Sequence, residues 1–472
     1  MSVALQTAAE LKTCRLFTLG CKVNQYETQY VLEALQGNGY QVTEAGAADL
    51  YIVNTCAVTH EAEGKARRLI RRLLRDRPRY GVLVLGCFVS RDPEALRGLG
   101  AQVRVVADKE RLPEILAECG VRAWPRGISH FHGHQRAFVK VQDGCLLNCT
   151  FCIIPYVRPR FVSRPVAEIV HEVERLVANG YREIVLTGIH LGHYGIDLSR
   201  GKPKEQWSRL WHLLDRLAEL PGEFRIRLSS LEAAEVRADL LEACRRNPRI
   251  CPHFHVCLQS GSNRILQAMR RRYRVESFVK NCEMLRQAFD NPAISTDVIV
   301  GFPGETEEDF AATFEVAERV GFAWIHIFPF SPRQGTPAAL MPDQVPTHIL
   351  QRRKEQLADL DRKLRRRYLE SLVGKKLEVL VEKAEERLPG HFTGTACRGV
   401  RVVFPGKSEW LGRLVPVRIA AVWEKSLVGY AEPSDAEELP KRPEFSRPHT
   451  QLQRSNPSPA KKLSLPVLPA GW

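Results

Sequence analysis

The 472-residue sequence has no apolar run that approaches the roughly 20 residues of a membrane-spanning helix. Its first residues, MSVALQTAAELKT, lack the basic start and the apolar core of a signal peptide. No internal repeat is visible beyond an alternation of short apolar runs and helical stretches. These absences argue against a membrane-bound or secreted protein, and we expect a cytoplasmic protein with no membrane partner.

Acidic residues are in the minority: 54 Asp and Glu face 69 Lys and Arg, which gives a net charge of +15 and a pI of about 9.3. Such an excess favours a polyanionic partner, although a basic, solvated surface would produce the same balance. Structural disulfides are rare in a reducing compartment. The 13 cysteines therefore indicate metal binding or redox chemistry.

Short apolar runs alternate with helical stretches from Cys14 to Ala107. RLFTLG, LYIVN, VLVLG and VRVVA are typical of strands, and residues 25–37, 60–76 and 91–98 are typical of helices. This order predicts an α/β unit with a parallel sheet. The same alternation then predicts a full or partial β/α barrel. Its strands are expected at 137–142, 183–187, 225–229, 254–258, 294–300 and 324–328.

The sequence pattern differs from residue 347 onward. A highly charged helix is expected at 347–370, and short strands with glycine turns from Gly374 to Tyr430 predict a small β-barrel. The 40 residues after Glu432 contain eight prolines and are expected to be disordered. The fold class is therefore α/β with a carboxyl-terminal β-barrel. The expected domains are 12–120, 131–362 and 371–433, followed by a disordered tail at 434–472.

The segment DGCLLNCTFCIIPY carries the strongest local signal. Cys145, Cys149 and Cys152 form a C-x3-C-x2-C array directly after a predicted strand. Thiolates are the usual ligands of iron–sulfur clusters, and three of them leave one iron of a four-iron cluster open for a substrate or cofactor. A zinc site would need a fourth Cys or His at a suitable spacing. The array therefore predicts an iron–sulfur cluster.

Three further cysteines stand just beyond predicted strands. Cys21 follows LFTLG, Cys56 follows LYIVNT, and Cys87 follows VLVLG. The carboxyl ends of parallel strands lie along one edge of a sheet, where such sheets bind ligands. Convergence of the three thiols would make a second three-cysteine site. Spacing alone leaves the alternative of three separate buried cysteines equally open.

The C-x3-C-x2-C spacing, with Phe151 before the third cysteine, resembles the radical S-adenosylmethionine superfamily. That resemblance implies a 4Fe–4S cluster on Cys145, Cys149 and Cys152, with S-adenosylmethionine bound at the open iron as the source of a 5′-deoxyadenosyl radical. The cofactor carries the difficult chemistry, and the protein supplies position and excludes water.

Motifs on both sides of this array resemble the methylthiotransferases, a branch of that superfamily. They include TLGCKVNQYET, VNTCAVTHEAEGKARRLIRR and VLGCFVSRDPE before the array, and VLTGIHLGHYGIDL, LQSGSNRILQAMRRRY, STDVIVGFPGETEEDF and FPFSPRQGTPAA after it. The resemblance implies a second 4Fe–4S cluster on Cys21, Cys56 and Cys87, whose open iron carries the sulfur to be transferred. Both open irons should then face one cavity between the first two domains. The final β-barrel resembles the TRAM domain, an RNA-binding module.

The motif GCKVNQYET most closely resembles the one found in the methylthiotransferase subgroup that acts on N6-threonylcarbamoyladenosine. The resemblance implies methylthiolation at C2 of this base at position 37 of tRNA, with S-adenosylmethionine as methyl donor and radical source. Isopentenyladenosine in tRNA and an aspartate of a ribosomal protein are alternative substrates within the family. A non-catalytic RNA-binding iron–sulfur redox sensor is the alternative from another class, and it would make no 5′-deoxyadenosine.

Five residues outside the cysteines are expected to contact S-adenosylmethionine by family resemblance. Gly188 should lie near the methionine amino group, and Gln259, Ile299 and Gly301 should flank the ribose and adenine. Phe151, within the array, completes the set. Glycine permits a close approach of backbone to ligand, although each of these strand-end positions also fits an ordinary turn.

The expected partners are the anticodon loop of tRNA, a reductant such as flavodoxin or ferredoxin, and a sulfur source. Presenting an unpaired anticodon-loop base to an active site costs less free energy than extruding a base from a duplex. About half of the basic residues in two clusters are expected to meet the RNA backbone. These clusters are Lys65, Arg67, Arg68, Arg71, Arg72, Arg75, Arg77 and Arg79, and Arg270, Arg271, Arg272 and Arg274.

Some positions depart from the family pattern. In VRPRFVSRP, Pro159 replaces the usual glycine and Val162 replaces an arginine. Proline fixes φ, so the shape of this loop is not predictable from the family. In CPHFHVCLQ, alternation along a barrel strand explains the Cys and His spacing better than a metal site. No metal is assigned to the seven other cysteines, which are Cys14, Cys119, Cys244, Cys251, Cys257, Cys282 and Cys397.

Overall fold

A computed structural model describes residues 12–432, so the disordered tail expected at 434–472 lies outside the described residues. Within the described part, the helices are too short or too polar to cross a lipid bilayer. The chain forms a parallel α/β sheet, then a partial β/α barrel, and then a closed β-barrel, which confirms the expected fold class.

The first domain is built on a five-stranded parallel sheet with the order β2-β1-β3-β4-β5. The central strand β3 and its neighbour β4 are buried along their whole length, as expected of apolar strands covered on both faces. The elements are β1 (Lys12–Thr18), α1 (Lys22–Gly37), β2 (Tyr40–Val42), β3 (Leu50–Thr55), α2 (His60–Leu73), β4 (Val82–Gly86), α3 (Cys87–Arg91), α4 (Pro93–Arg97), β5 (Val103–Val105) and α5 (Leu112–Ala117).

Two helices of this domain differ from the sequence-based expectation. The helix expected at 60–76 ends in a 3-10 turn at Leu74–Asp76. The helix expected at 91–98 is interrupted at Asp92, and α3 begins earlier, at Cys87. The Asp92 carboxylate accepts a hydrogen bond from the N–H of Ala95 at 3.1 Å, and proline occupies the first position of α4. Both features are typical of a new helix start.

The second domain is a partial barrel of two four-stranded sheets, β7-β6-β8-β9 and β10-β11-β12-β13, joined by a parallel bridge between Ile226 and Ile250. Its strands are β6 (Ala137–Asp143), β7 (Val162–Ser163), β8 (Glu183–Gly188), β9 (Arg225–Leu228), β10 (Leu231–Glu232), β11 (His253–Cys257), β12 (Ala293–Val300) and β13 (Trp324–Pro329). The helices are α6 (Ile154–Val157), α7 (Val166–Ala178), α8 (Leu210–Ala218), α9 (Ala238–Arg246), α10 (Asn263–Ala268), α11 (Val275–Ala288), α12 (Glu307–Val320) and α13 (Thr347–Glu370).

The third domain is a closed five-stranded barrel with the order β14-β15-β16-β18-β17. The last strand closes the barrel by pairing with both β16 and β17. The strands are β14 (Lys376–Ala384), β15 (His391–Ala396), β16 (Arg401–Pro405), β17 (Leu414–Trp423) and β18 (Ser426–Ala431).

Buried charges join the two barrels. Arg225 donates to the Glu183 carboxylate at 2.7 Å and to the carbonyl oxygens of Glu378 and Thr395, also at 2.7 Å. Arg227 is fully buried and also donates to Glu183, at 2.9 Å. Glu183 and Arg225 begin their strands, so the small barrel covers the amino-terminal end of the larger one. The carboxyl ends of the strands, where β/α barrels place their sites, face the first domain.

Candidate iron–sulfur centres

Cys21, Cys56 and Cys87 stand at one edge of the first sheet. Each follows one of three adjacent strands: β1 pairs with β3, and β3 pairs with β4 as far as Thr55 and Gly86. The backbone of Gly20 packs directly on Cys56, because a Cβ at position 20 would lie 3.1 Å from the Cys56 Sγ. Cys21 is exposed, whereas Cys56 and Cys87 are buried. The structure therefore brings the three dispersed thiols to one place.

The turn that presents Cys87 depends on a glycine. Gly86 has φ +97°, a conformation that side chains rarely adopt. A Cβ at this position would also overlap the Asn54 side chain and the backbone of Thr55 on the neighbouring strand. Glycine thus allows β4 to turn abruptly into α3, with Cys87 as the first residue of the helix.

Arg158 reaches from the second domain to this cysteine group. Its Nε donates to the Cys87 Sγ at 3.3 Å, and its Nη2 donates to Asn24 Oδ1 at 2.8 Å. The same Asn24 oxygen lies 3.8 Å from the Cys21 Sγ. Arg158 follows α6 and lies six residues beyond the C-x3-C-x2-C array, so the segment after one cysteine group contacts the other group.

Four charged side chains hold Arg158 in this position. Its Nη1 donates to Asp143 at 2.7 Å and to Glu27 at 3.0 Å, and Lys140 donates to Glu27 at 2.8 Å. Lys109 also donates to Glu27, at 2.6 Å. Burial opposes ionisation of Glu27, but Arg158 and the two lysines outweigh it and hold the pKa of this carboxyl well below its usual range. Arg158 is therefore a fixed cation between the first two domains.

The C-x3-C-x2-C array occupies a loop after β6 that is pinned at Thr150. The Thr150 N–H donates to the carbonyl of Met269 at 3.2 Å, and its hydroxyl donates to the carbonyl of Ala268 at 2.9 Å. The Thr150 carbonyl accepts the N–H of Ala338 at 2.9 Å. The loop is thus held from two sides before any ligand binds.

Two side chains approach the sulfurs of this array. Arg271 Nη1 donates to the Cys149 Sγ at 3.1 Å, and His190 Nδ1 lies 3.4 Å from the Cys145 Sγ. Burial raises the pKa of the Cys152 thiol to about 12, and it does the same for Cys56 in the other group. Iron ligation requires deprotonation, so metal binding has to displace a proton from both thiols.

The donor sets at both groups fit an anionic iron–sulfur cluster. Hydrogen bonds to ligand sulfurs are a principal means by which proteins tune such clusters. Within residues 12–432, Nε and Nη1 of buried Arg333 have no hydrogen-bond partner, although its Nη2 pairs with Glu63. The Arg271 Nε is likewise buried without a partner. These nitrogens remain as donors to an anion.

Four of the five residues expected to contact S-adenosylmethionine lie around the end of β12. Gln259 has φ +63°; its N–H donates to Asp297 O at 2.8 Å, and its carbonyl accepts the Ile299 N–H at 2.9 Å. Ile299 shares an apolar cluster with Phe151, next to the cysteine loop. Gly301, two residues after Ile299, has φ +75°.

The fifth residue, Gly188, ends β8 in the other sheet of the barrel. A Cβ at this position would lie 3.0 Å from Gln142 Oε1, so β6 and β8 are close together here. The same Gln142 oxygen accepts the N–H of His190 at 2.9 Å. Gly188 is thus positioned beside the segment that brings His190 to Cys145.

Sequence reasoning did not identify the side chains that approach the sulfurs. Arg158 and His190 occur in motifs that were recognised, but no role followed for either from spacing alone. Arg271 belongs to a basic cluster of which about half is expected to meet RNA, and it is not in that half, because its side chain is 4% exposed and contacts Cys149 and Glu232. One feature of the sequence could have indicated a role for His190: it lies two residues after Gly188, which is an expected cofactor contact.

The basic cluster on and after α2 is largely exposed. Lys65 pairs with Glu61, and Arg67 stacks over Phe88, 4.8 Å from the ring centroid. The exposed members are Arg68, Arg71, Arg72, Arg75, Arg77 and Arg79. These six side chains present positive charge to a polyanion.

A cavity of about 1370 Å³ lies at the junction of the first two domains. Arg158 and Lys109 line it together with three tyrosines, Tyr26, Tyr30 and Tyr156. Its lining within the described residues includes none of the six cysteines. The expectation that both open irons face one cavity therefore stays a prediction.

Family models match all three parts of the chain. The radical SAM superfamily matches residues 139–317, uncharacterized protein family UPF0004 matches 13–108, and the TRAM domain matches 370–431. The structure resembles that of the radical S-adenosylmethionine methyltransferase TsrM from Kitasatospora setae, with a TM-score of 0.52, 16% identity, and coverage of 70% of this chain and 77% of TsrM. At this identity the likeness shows the fold alone. Fold and family models define a radical SAM protein.

Similar proteins indicate which family of radical SAM proteins the chain resembles. The threonylcarbamoyladenosine tRNA methylthiotransferase MtaB of Chlamydia pneumoniae is 39% identical over 90% of this chain and 99% of its own length. MtaB of Thermotoga maritima is 37% identical over 79% and 87%. The tRNA-2-methylthio-N(6)-dimethylallyladenosine synthase of Mycolicibacterium paratuberculosis is 35% identical over 82% and 79%. The chain belongs to the radical SAM methylthiotransferase family.

Proposed function

We propose that this enzyme methylthiolates C2 of N6-threonylcarbamoyladenosine at position 37 of tRNA. The support comes from two sides: relatives with this named activity match most of the chain, and Arg158, six residues after one three-cysteine group, donates to Cys87 of the other. Methyl donor and radical source are both S-adenosylmethionine. The identity to a dimethylallyladenosine synthase keeps isopentenyladenosine as the second candidate substrate.

The six cysteines are proposed ligands of two 4Fe–4S clusters, one on Cys145, Cys149 and Cys152 and one on Cys21, Cys56 and Cys87. When bound, the first supplies the electron that cleaves S-adenosylmethionine, and the second supplies the sulfur that is transferred. The chain's own residues orient these groups: Arg158 and Arg271 donate to ligand sulfurs, and the pinned Thr150 fixes the first loop.

The proposed cofactor pocket lies between the two sheets of the barrel. Phe151 and Ile299 form its apolar wall, and Gln259 and Gly301 present backbone in left-handed conformations. Gly188 lies on the β8 side of the pocket. A nucleoside bound here would lie next to the cysteine loop, as the family resemblance implies.

The remaining parts of the proposal concern partners and organisation. The exposed arginines after Arg67 and the TRAM domain are proposed to hold the tRNA backbone, with the anticodon loop presented to the junction. A reductant such as flavodoxin or ferredoxin and a separate sulfur source complete the reaction in the cytoplasm. The proposed domain limits are 12–120, 131–362 and 371–433.

The proposal is tested by mass spectrometry of nucleosides in bulk tRNA from a strain that lacks this gene. We expect 2-methylthio-N6-threonylcarbamoyladenosine to disappear and its unthiolated precursor to accumulate. A plasmid copy of the wild-type gene should restore the product, and copies with Cys21→Ala or Cys149→Ala should not. The matched control is Cys397→Ala, which changes a half-buried cysteine of the third domain.

Other outcomes would redirect the assignment. Loss of the 2-methylthio derivative of isopentenyladenosine instead would establish the second candidate substrate. An unchanged nucleoside profile would exclude both tRNA substrates and leave the protein substrate or the non-catalytic sensor. Full restoration by Cys21→Ala would show that Cys21 is not required.

A further inference from the structure

Two adjacent strands of the β/α barrel bring together three side chains that commonly bind metals. His255 and Cys257 are two residues apart on β11, so both lie on the same face of the sheet. Asp297 lies on the neighbouring strand β12. One ligand atom from each of these side chains lies within 4.8 Å of the other two. Strand alternation explains the spacing in CPHFHVCLQ, but it does not reveal the carboxylate that joins the pair.

The residues between them show which way these side chains point. Phe254 and Val256, which alternate with His255 and Cys257 along β11, belong to the large apolar cluster that packs against the helices. His255 and Cys257 therefore face the interior of the barrel. Both are buried, whereas the Asp297 side chain is 25% exposed. The carboxylate is thus the accessible side of the group.

The separations between the ligand atoms are close to those of a tetrahedral zinc site. His255 Nε2 lies 3.2 Å from Asp297 Oδ1, and Cys257 Sγ lies 3.8 Å from Asp297 Oδ2. Zinc bonds of about 2.0–2.3 Å place neighbouring tetrahedral ligand atoms roughly 3.3–3.6 Å apart. The donors are therefore gathered at nearly the spacing that zinc requires.

Hydrogen bonds on the far side of His255 leave its Nε2 available to a metal. Arg227 Nη1 lies 3.2 Å from His253 Nδ1, which must accept because a guanidinium only donates. The proton of the neutral His253 ring is then on Nε2, which donates to Ser295 Oγ at 3.2 Å. Ser295 Oγ also lies 3.0 Å from His255 Nδ1 and has a second lone pair to accept from it. With its proton on Nδ1, the His255 ring presents an unprotonated Nε2.

His326 of β13 does not complete the set. Its ring centroid lies 5.6 Å from that of His255, and its Nε2 accepts a hydrogen bond from the indole N–H of Trp324 at 3.1 Å. An indole nitrogen only donates, so the proton of neutral His326 is on Nδ1 and neither ring nitrogen is free to bind a metal. Three protein ligands with an open fourth position are typical of zinc sites that hold an exchangeable ligand.

Zinc is the ion that this donor set fits best. Mg²⁺ and Ca²⁺ take oxygen ligands, so a thiolate and an imidazole disfavour both. The thiolate of Cys257 and the carboxylate of Asp297 together balance the two positive charges of Zn²⁺. Binding therefore leaves the buried group electrically neutral, which avoids the cost of an unpaired charge in the barrel interior.

We propose that His255, Cys257 and Asp297 bind one zinc ion in the interior of the barrel. Cys257 and Asp297 each stand two residues before a proposed contact of S-adenosylmethionine, and these contacts are Gln259 and Ile299. The zinc ion therefore lies roughly 6–7 Å deeper in the barrel than the proposed cofactor pocket. Its open position takes water or an oxygen atom of another ligand. The site shares no ligand with either three-cysteine group and does not depend on the proposed function.

The test counts zinc in anaerobic holoenzyme that has been incubated with zinc sulfate and freed of excess metal by gel filtration. Elemental analysis should find about one zinc ion per chain. Cys257→Ser and Asp297→Asn should each lose most of this zinc and keep their iron, whose retention shows that the protein is folded. The matched control is Cys244→Ser, which changes a buried cysteine of α9 and should keep the zinc.

X-ray absorption at the zinc edge identifies the ligands independently of iron. The expected spectrum has one sulfur at about 2.3 Å and nitrogen or oxygen atoms at about 2.0–2.2 Å. Cys21→Ala and Cys149→Ala proteins should give the same spectrum and the same amount of zinc. A spectrum with three sulfur ligands would overturn the proposal, because zinc would then occupy one of the three-cysteine groups.

Two further results would overturn the proposal. Zinc far below one ion per chain in the wild-type protein would show that the three side chains are a hydrogen-bonded group without a metal. Full zinc in both Cys257→Ser and Asp297→Asn would place the ion elsewhere. Because these measurements use neither tRNA nor S-adenosylmethionine, their outcome is independent of whether methylthiolation succeeds.

Discussion

The two cysteine groups are built in opposite ways. Cys145, Cys149 and Cys152 belong to one loop, which hydrogen bonds through Thr150 fix to α10 and to the segment around Ala338. The other three come from three strand ends that are 31 to 66 residues apart in sequence, and they meet only after the sheet has formed. A local array can be recognised from spacing, whereas a dispersed set requires the topology.

The side chains around the sulfurs repeat one arrangement in both groups. Arg158, backed by Glu27 and Asp143, meets Cys87, and Arg271, backed by Glu232, meets Cys149. A guanidinium paired with a carboxylate is a fixed cation that can remain buried. The two groups thus differ in how the cysteines are assembled, but in each of them a buried, carboxylate-paired arginine donates to a cysteine sulfur.

The largest expected effect separates the two groups by iron content. Cys21→Ala and Cys149→Ala should each reduce bound iron from about eight to about four atoms per chain, because each variant loses one four-iron cluster. The double variant should bind almost none. Iron assay of anaerobically reconstituted protein provides the measurement.

Cys397→Ala serves as the control for these variants and should retain full iron. Loss of all iron in Cys21→Ala alone would contradict the independence of the two groups. It would show that the dispersed site is needed to fold the cysteine loop.

Arg158 tests how strongly the segment after the cysteine loop is held against the dispersed group. Arg158→Met should lower the stability of the folded protein by about 1–3 kcal/mol, because Glu27 and Asp143 lose one of the three cations that they share and keep Lys140 and Lys109. Arg158→Lys should recover only part of the lost stability, since one ammonium group cannot hydrogen-bond to Cys87, Asn24 and both carboxylates at once. Thermal unfolding of the anaerobic protein measures both variants, and equal stability of Arg158→Met and wild type would contradict the account.

Gly86→Ala should separate the two cysteine groups, because it affects only the group of Cys21, Cys56 and Cys87. The positive φ and the overlap with Asn54 should cost about 1–3 kcal/mol and displace Cys87. We expect iron to be lost from the first domain while cleavage of S-adenosylmethionine continues. Gly39→Ala is the matched control: its φ is +86°, but a Cβ there meets nothing within 4 Å.

The smallest expected effect concerns the exposed basic surface. Arg71→Gln with Arg72→Gln should weaken tRNA binding several-fold and reduce its salt dependence, by about 0.7–0.9 in log–log slope for each RNA phosphate that is no longer neutralised. Filter binding at several salt concentrations measures this change. The double substitution Arg245→Gln with Arg246→Gln, on α9, should have no effect, and equally weakened binding in both double variants would contradict a specific RNA surface.

Much of the architecture was predictable because it follows from periodicity. The buried runs of β3 and β4, the barrel strands and the array of three cysteines are all visible as local patterns. The convergence of Cys21, Cys56 and Cys87 followed only from the rule for strand ends together with family resemblance. Arg158, His190 and Arg271 could not be assigned, because their roles depend on contacts between distant segments.

One measurement tests the division of labour between the groups directly. Purified Cys21→Ala and Cys149→Ala proteins are each given reductant, S-adenosylmethionine and substrate tRNA, and both 5′-deoxyadenosine and methylthiolated nucleoside are quantified. The account predicts that Cys149→Ala makes neither product, whereas Cys21→Ala forms 5′-deoxyadenosine but no methylthiolated base. Methylthiolation at the wild-type rate by Cys21→Ala, without added sulfide, would contradict the account.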